Sequence, residues 1–282
     1  AVWWRGMPSG NAGSAEAPAT PTIRDERPLD LAWSRVLRDR AAERGIDFRH
    51  VNGATGRKLL PETLGGGVAI ADLDGDGDPD LAFVDGDAWP DGPAGSERGR
   101  GIAIFLNDGR GGFSPPPSPT GLEAPFQGMG LAVGDVDGDD DLDLLATGVD
   151  GAVLFLNDSD ASGLRFREAT AEAGLDVLDG WSTAAGFGDI DADGDLDLVV
   201  AHYVEWSPTL DEAVDYRLAG IGRAYGPPLG FAGERVRLFA NDGSGRFEER
   251  TAAAGLDVRN PATGEPMAKA LGLLFEDLDE DG

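Results

Sequence analysis

Residues 72–80 read Asp72-Leu-Asp-Gly-Asp-Gly-Asp-Pro-Asp80, and this acidic pattern recurs from residues 135, 189 and 277. In the three complete copies carboxylates occupy positions 1, 3, 5 and 9, and position 6 is glycine except at Asp140. Side chains this acidic and this close repel one another and raise each other's pKa values unless they share a cation. Ca²⁺ suits them, because it accepts six to eight oxygen ligands in a flexible shell. Each loop is therefore predicted to bind calcium through side chains 1, 3, 5 and 9 and the carbonyl of position 7.

The candidate metal ligands are the alternating aspartates of these loops. They are Asp72, Asp74, Asp76, Asp78, Asp80, Asp135, Asp137, Asp139, Asp141, Asp143, Asp189, Asp191, Asp193, Asp195, Asp197, Asp277, Asp279 and Asp281. The second copy carries Asp140 where a sharp turn favours glycine, so its geometry is expected to differ.

The loops open like an EF-hand but lack its bidentate Glu at position 12, where Phe83, Ala146 and Val200 stand. Short apolar runs such as Val68–Ala71 and Leu81–Val84 flank them, and these runs are typical of buried strands. The predicted ion thus lies in the turn of a β-hairpin.

Each unit continues with a third strand that ends at Asn-Asp and a short fourth strand that begins at Phe. The third strands end at Asn107, Asn157 and Asn241. Four strands per unit at a spacing of about 55–65 residues are typical of β-propeller blades. We therefore predict an all-β, β-propeller fold of four-stranded antiparallel blades, with about three full blades and the start of a fourth.

The predicted domain organisation has three parts. Residues 1–28 are a flexible linker rich in Gly, Ala, Ser and Pro, and its first residues are compatible with the end of a signal or membrane segment. Residues 29–45 form a short amphipathic helix. Residues 46–282 form the partial propeller, in which 46–53 supplies an outer strand that closes the ring and 203–234 is an insertion.

Composition narrows the function classes. The net charge of −29 disfavours nucleic acid and anionic membranes as partners, since both require basic surfaces. The chain has no cysteine, which excludes disulfides and thiolate metal sites. Extracellular calcium modules bind weakly, with Kd on the order of 10⁻⁴–10⁻³ M. An extracytoplasmic location, secreted, periplasmic or on the cell surface, is therefore expected.

No catalytic motif is found. The two histidines, His50 and His202, lie at or beside predicted strands, and an isolated histidine of this kind is more often structural than catalytic. The sequence contains no GxSxG elbow and no Walker loop. We therefore expect no catalytic residues and no enzyme activity.

The insertion is the most informative stretch outside the loops. It concentrates aromatic and arginine side chains, which binding surfaces use, although such rings also pack as a cap over one end of a propeller. The candidate ligand-binding residues are Tyr203, Trp206, Tyr216, Arg217 and Tyr225.

The DxDxDGxxD loops resemble FG-GAP/VCBS repeats, the calcium-loop blades also found in integrin α-subunit propellers. More narrowly, the stretches FRHVNGATGRKLLPETLGGGVAIADLDGDGDPDL, YVEWSP…GRAYGPP and RLFANDGSGRFEERTAAAGL resemble the bacterial cartilage-acidic-protein-like family. This resemblance covers about residues 45–282. It implies an exported, seven-bladed-type propeller that binds calcium and is followed by a C-terminal ASPIC/UnbV module, which this sequence lacks.

The sequence leaves three functions open. The first is a calcium-binding surface propeller that mediates adhesion or binds an unidentified protein or glycan without catalysis. The second is a calcium-dependent, lyase-like enzyme acting on polysaccharide. The third is a structural scaffold that presents the C-terminal module.

Overall fold

A computed structural model describes residues 38–122 and 126–276. The chain divides into two compact units, residues 1–39 and 40–282, and the fold below is that of the second unit. The predicted linker at 1–28 lies outside the described residues, as do most of the predicted helix at 29–45 and the fourth acidic loop.

The described part of the second unit contains three antiparallel sheets of four strands each. In the first sheet the strands are β1 (Val68–Ala71), β2 (Asp80–Val84), β3 (Ile102–Asn107) and β4 (Phe113–Ser114). In the second they are β5 (Gly128–Gly134), β6 (Asp143–Gly148), β7 (Gly151–Asn157) and β8 (Phe166–Glu168). In the third they are β9 (Ser182–Gly188), β10 (Asp197–His202), β13 (Arg237–Asn241) and β14 (Phe247–Glu249).

Between β10 and β13 the chain forms the predicted insertion. This stretch holds the helix α1 (Pro208–Val214) and a two-stranded ribbon of β11 (Arg217–Leu218) and β12 (Gly222–Arg223). The helix was not predicted, although Ser207 caps it by accepting a hydrogen bond from the Leu210 amide and Pro208 begins it. Among the described residues no helix has the length and apolar character that a membrane span needs.

Each four-stranded sheet follows chain order, so its strands form a simple meander. The acidic loop is the turn between the first and second strands, as the pairing of Ala71 with Asp80 and of Gly134 with Asp143 shows. This arrangement confirms the predicted all-β architecture of four-stranded antiparallel sheets.

The sheets meet through their first strands, whose backbones approach too closely for side chains. A Cβ added to Gly67 would lie 2.6 Å from the Cα of Gly130, and the Gly67 amide donates a hydrogen bond to the Met129 carbonyl. A Cβ on Gly130 would in turn lie 3.0 Å from the carbonyl oxygen of Thr183 on β9. The first strands therefore form the common inner edge of a propeller-like arrangement.

Two apolar cores fill the spaces between neighbouring sheets. Because successive strand residues face opposite sides, Leu144 packs towards the first sheet and Leu145 towards the third. Burying such a side chain contributes roughly 1.5–3 kcal/mol. On β1 the outward residues Val68 and Ile70 are 52% and 70% exposed, and no described sheet covers them.

Two local predictions differ from the structure. Within the predicted helix, the described residues contain only a 3₁₀ turn at Ala42–Arg44, which ends at Gly45 with φ +87°. Residues 46–53, predicted as an outer strand, form no strand here. Instead the ring of Phe48 stacks on Phe83 at 4.7 Å and the Val51 amide binds the Asp85 carboxylate, which attaches this segment to the first sheet. A closed ring and a blade number remain predictions.

Candidate metal centres

The three described acidic loops bring the same positions together. In each loop, carboxylate oxygens of positions 1, 3 and 9 lie within 4.8 Å of one another. Position 1 directly follows the first strand and position 9 begins the second, so the hairpin itself sets this geometry. The clusters are Asp72, Asp74 and Asp80; Asp135, Asp137 and Asp143; and Asp189, Asp191 and Asp197.

The carboxylate of position 9 is fixed most firmly. Asp80, Asp143 and Asp197 are only 1–2% exposed. The carboxylate of Asp143 accepts hydrogen bonds from the Val136 amide at 2.9 Å and from the Asn157 amide at 2.8 Å. Equivalent pairs of bonds hold Asp80 and Asp197. Each oxygen keeps a lone pair, so this anchored carboxylate remains able to bind a cation.

The carboxylate of position 1 folds the loop around itself. Asp72 accepts hydrogen bonds from the amides of Asp76 and Gly77, and Asp189 does the same with Asp193 and Gly194. In the second loop Asp135 binds the amides of residues 138, 139 and 140. The side chain thus faces the interior of the loop.

The sharp turn survives without glycine at two positions. Position 6 has φ +93° at Gly77 and +72° at Asp140, so the aspartate adopts the same left-handed backbone as the glycine. Position 4 of the third loop is Ala192, with φ +61°. Left-handed backbone costs a residue with a Cβ roughly 1–2 kcal/mol.

Positions 5 and 7 lie outside the three clusters. Each position-5 carboxylate, that of Asp76, Asp139 or Asp193, accepts a hydrogen bond from the amide of position 7 and so tightens the turn. The position-7 side chains Asp78 and Asp195 lie against glycines of the turn after the third strand. Asp141 is the equivalent residue of the second loop, and Asp277, Asp279 and Asp281 fall outside the described residues.

The clusters are electrostatically strained as they stand. Burial, followed by the neighbouring carboxylates, raises the pKa of Asp74 and of Asp137. Burial also raises the pKa of Asp143 to about 7, although two backbone amides favour its ionised form. The Oδ1 atom of Asp137 is buried without a hydrogen-bond partner. A divalent cation at this point would satisfy that oxygen and reverse the repulsion.

The donor set fits calcium. All the clustered side-chain atoms are carboxylate oxygens, which are hard ligands, and the loop contains neither the imidazole nor the thiolate that zinc prefers. Asp72, Asp74 and Asp80 would hold the ion in the first loop, with the equivalent residues in the other two.

The asparagine at the end of each third strand supports these loops, a role that the sequence did not reveal. Its backbone amide binds the position-9 carboxylate, and its side-chain amide binds the carbonyl of position 8: Asn107 with Pro79, Asn157 with Leu142 and Asn241 with Leu196. Its recurrence in the same phase was visible in the sequence, but it indicated only a turn.

The candidate ligand-binding residues of the insertion do not form one exposed surface. Tyr203 is only 8% exposed, because its ring packs edge-on against Trp181 at 5.3 Å. Trp206 lies between Trp89 and Trp181, at 5.4 Å and 5.9 Å. These rings are part of an apolar cluster that also contains Leu59, Leu60, Met129, Val149, Val204 and Phe231. The cap interpretation therefore describes Tyr203 and Trp206.

The remaining three candidates are more exposed. Tyr216 is 39% exposed and Tyr225 36%. The Tyr225 hydroxyl donates a hydrogen bond to Glu62 at 2.6 Å, and Lys58 lies over its ring. Arg217 pairs with Asp215 at the surface.

Asp211 of α1 attaches the insertion to the segment before β1. Its buried carboxylate accepts hydrogen bonds from the Leu60 amide at 2.7 Å and the Trp206 indole at 2.8 Å, and it pairs with Arg223 at 2.7 Å. Arg223 also donates to the Arg57 carbonyl. No sequence motif distinguished this aspartate from the many others.

The comparisons with known proteins concern part of the chain. Residues 84–146 match the model of an FG-GAP-like repeat, from the end of β2 through the second acidic loop. This match supports the predicted FG-GAP/VCBS repeats, whereas the narrower resemblance to the cartilage-acidic-protein-like family stays a prediction. No curated protein matches the chain.

Among solved structures, the chain is similar to an Agrocybe aegerita lectin, described as recognising non-reducing terminal N-acetylglucosamine. The identity is 18% and the TM-score 0.34, over 64% of this chain and 36% of the lectin chain. This chain therefore spans about a third of that structure.

Proposed function

We propose that this chain is a calcium-binding, propeller-like module in which the ions stabilise the inner hairpins of the sheets. The observation that carries the proposal is the recurrence of one carboxylate triad, at positions 1, 3 and 9, in all three described loops. Exposed acidic groups are common, but three clusters with the same buried anchor and the same backbone bonds indicate one repeated site.

Each ion contributes a modest amount of stability. With free calcium near about 1 mM and Kd on the order of 10⁻⁴–10⁻³ M, binding adds roughly 0.4–1.4 kcal/mol per site. Three sites then add about 1–4 kcal/mol, a sizeable part of a typical stability of about 5–15 kcal/mol. We propose an extracytoplasmic location for the module, because sites with Kd values in this range would need calcium-rich surroundings.

A non-catalytic role is part of the proposal. The described residues contain a Ser–His contact, in which Ser182 Oγ lies 3.2 Å from His202 Nε2. Both side chains are at most 2% exposed, and burial lowers the pKa of His202 to about 4. A nucleophile must be reached by its substrate, so we interpret this pair as a structural contact between the start of β9 and the end of β10.

The proposed partner is a protein or a glycan, bound through the insertion. Tyr216, Tyr225 and Arg217 are exposed aromatic and cationic groups of the insertion, the residue types that binding surfaces use. Screening the protein against glycan and surface-protein arrays tests this part. Loss of a detected signal in the Tyr216→Ala variant would support it, and a signal unaffected by both Tyr216→Ala and Arg217→Ala would contradict it.

The calcium sites are tested by titration. Protein freed of metal with a chelator is titrated with CaCl₂ in a calorimeter and melted with and without the ion. We expect at least three equivalents bound and a higher melting temperature with calcium. No heat of binding together with an unchanged melting temperature would overturn the proposal.

A further inference from the structure

We propose that Asn157 and Asn241 couple neighbouring calcium loops, so that an ion in one loop strengthens binding in the next. This inference rests on the proposed function, because it concerns how the proposed sites communicate. Asn157 and Asn241 are therefore positioning residues for the metal centres.

The side chain of Asn157 joins two loops. Its Nδ2 donates to the Leu142 carbonyl of its own loop at 3.2 Å and to the Leu73 carbonyl of the first loop at 3.1 Å. Leu73 is position 2, between the ligands Asp72 and Asp74, and its amide binds the third ligand, Asp80. A single buried amide thus contacts the backbone of both metal sites.

Asn241 repeats the arrangement one sheet further on. Its Nδ2 donates to the Leu196 carbonyl of the third loop at 3.1 Å and to the Val136 carbonyl of the second loop at 2.8 Å. Val136 is position 2 of the second loop, and its amide binds Asp143. The three loops are therefore connected in series through two asparagines.

The connection between loops should make calcium binding in one loop favour binding in the next. An ion that fixes positions 1, 3 and 9 of one loop also fixes the position-2 carbonyl, which then holds the asparagine against the neighbouring loop. Since the backbone amide of that asparagine anchors the neighbour's position-9 carboxylate, part of the ordering cost of the second site has already been met. The coupling is thus positive, and by linkage it acts equally in both directions.

Asn107 is a natural control. It makes the same bonds within its own loop, to the Pro79 carbonyl and the Asp80 carboxylate. It lies in the first sheet, and no bond from it to another described acidic loop is seen. Asn107→Ala therefore removes the side-chain bond to the Pro79 carbonyl, keeps the backbone bond to the Asp80 carboxylate and leaves the connection between loops intact.

The test measures the calcium affinity of the second loop in the full chain by calorimetry. All proteins carry Asp191→Ala, which disables the third loop. They are compared with and without Asp74→Ala, which disables the first loop. A hydrogen bond contributes roughly 0.5–1.5 kcal/mol, so disabling the first loop is expected to weaken the second roughly twofold to tenfold. In Asn157→Ala protein the same change should have no effect, whereas in Asn107→Ala protein it should weaken the second loop as before.

A second readout does not depend on affinity. In Asp74→Ala protein, calcium bound at the second loop should still slow hydrogen exchange of the Leu73 amide, and Asn157→Ala should abolish that protection. If Asn157→Ala protein does not fold, Asn241→Ala tests the connection between the second and third loops.

The inference is overturned if disabling the first loop leaves the second unchanged, or if the coupling persists in Asn157→Ala protein. In both cases the wild type still binds calcium, so the proposed function stands. Absence of any calcium binding to the wild type would overturn the two together.

Discussion

Replacing Asp74 with asparagine should change stability in opposite directions with and without calcium. Asp74 is position 3 of the first loop, and its pKa is raised by burial and by the charges of Asp76 and Asp72. Without an ion, Asp74→Asn removes a strained charge, and the amide oxygen can still accept the hydrogen bond from the Asp76 amide. With calcium bound, the same change removes a charged ligand.

The expected magnitudes follow from the site. In about 1 mM calcium the variant can lose up to the whole contribution of one ion, roughly 0.4–1.4 kcal/mol. A domain of this size shifts its melting temperature by roughly 2–4 °C per kcal/mol, so the loss is about 1–6 °C. In chelator the variant should melt at the same temperature as the wild type or slightly above it.

The assay is thermal unfolding followed by circular dichroism at matched ionic strength, with either calcium or chelator. Asp150→Asn is the matched control, because Asp150 is an exposed acid in the turn between β6 and β7 and belongs to no cluster. It removes one charge in the same way and should melt equally in both conditions relative to the wild type. A variant destabilised equally with calcium and with chelator would refute the reasoning, since Asp74 would then act through the fold alone.

Three further predictions use the same measurements. The metal-free protein should lose up to about 2 kcal/mol of stability as pH rises from about 5.5 to 7.5, because folding raises the pKa of Asp143 to about 7 and the folded state binds that proton more tightly. Saturating calcium should reduce this dependence on pH, and a flat profile in chelator would contradict the prediction. Ala192→Gly should stabilise the protein by roughly 0.5–1 kcal/mol, because φ +61° strains alanine. Ala253→Gly, at an exposed position without positive φ, should destabilise the protein, and equal effects of the two changes would contradict this reasoning. Asp211→Asn should cost about 1–3 kcal/mol, because the Arg223 pair is lost and a buried group is left unsatisfied. Asp150→Asn, in an exposed turn, should cost little, and similar losses in both variants would show that the insertion is not held through Asp211.

The repeated strands and the ligand clusters were predictable because local chemistry determines them. An alternating aspartate loop between two apolar runs is typical of a hairpin turn. The alternation of acidic residues places the odd positions, among them 1, 3 and 9, on the same side of the loop. Position 5 was predicted as a ligand from the same period. Its carboxylate lies outside the clusters and accepts a bond within the turn, so its role as a ligand stays a prediction.

The roles of distant pairs could not be predicted from one sequence. Asn157 resembles any turn-forming asparagine until Leu73, 84 positions away, is seen to accept its hydrogen bond. Similarly, Asp211 differs from its acidic neighbours only because folding places Leu60 and Arg223 against it. The role of the insertion's aromatic residues was ambiguous for the same reason, since the sequence does not distinguish an exposed ring from one packed in a cap.

The acidic loops and the aromatic cluster lie at opposite ends of the same hairpins. The acidic loop joins the end of β5 to the start of β6, whereas Met129 near the start of β5 and Val149 just after β6 belong to the cluster of Trp181 and Tyr203. Removing calcium should therefore open the hairpins from the loop end and leave the cluster packed, because its contacts are apolar. Hydrogen exchange should increase first at the loop amides and only later at amides near Trp181. Chelation would then produce a folded protein with loosened turns, and the melting temperature would fall without loss of sheet structure at ambient temperature.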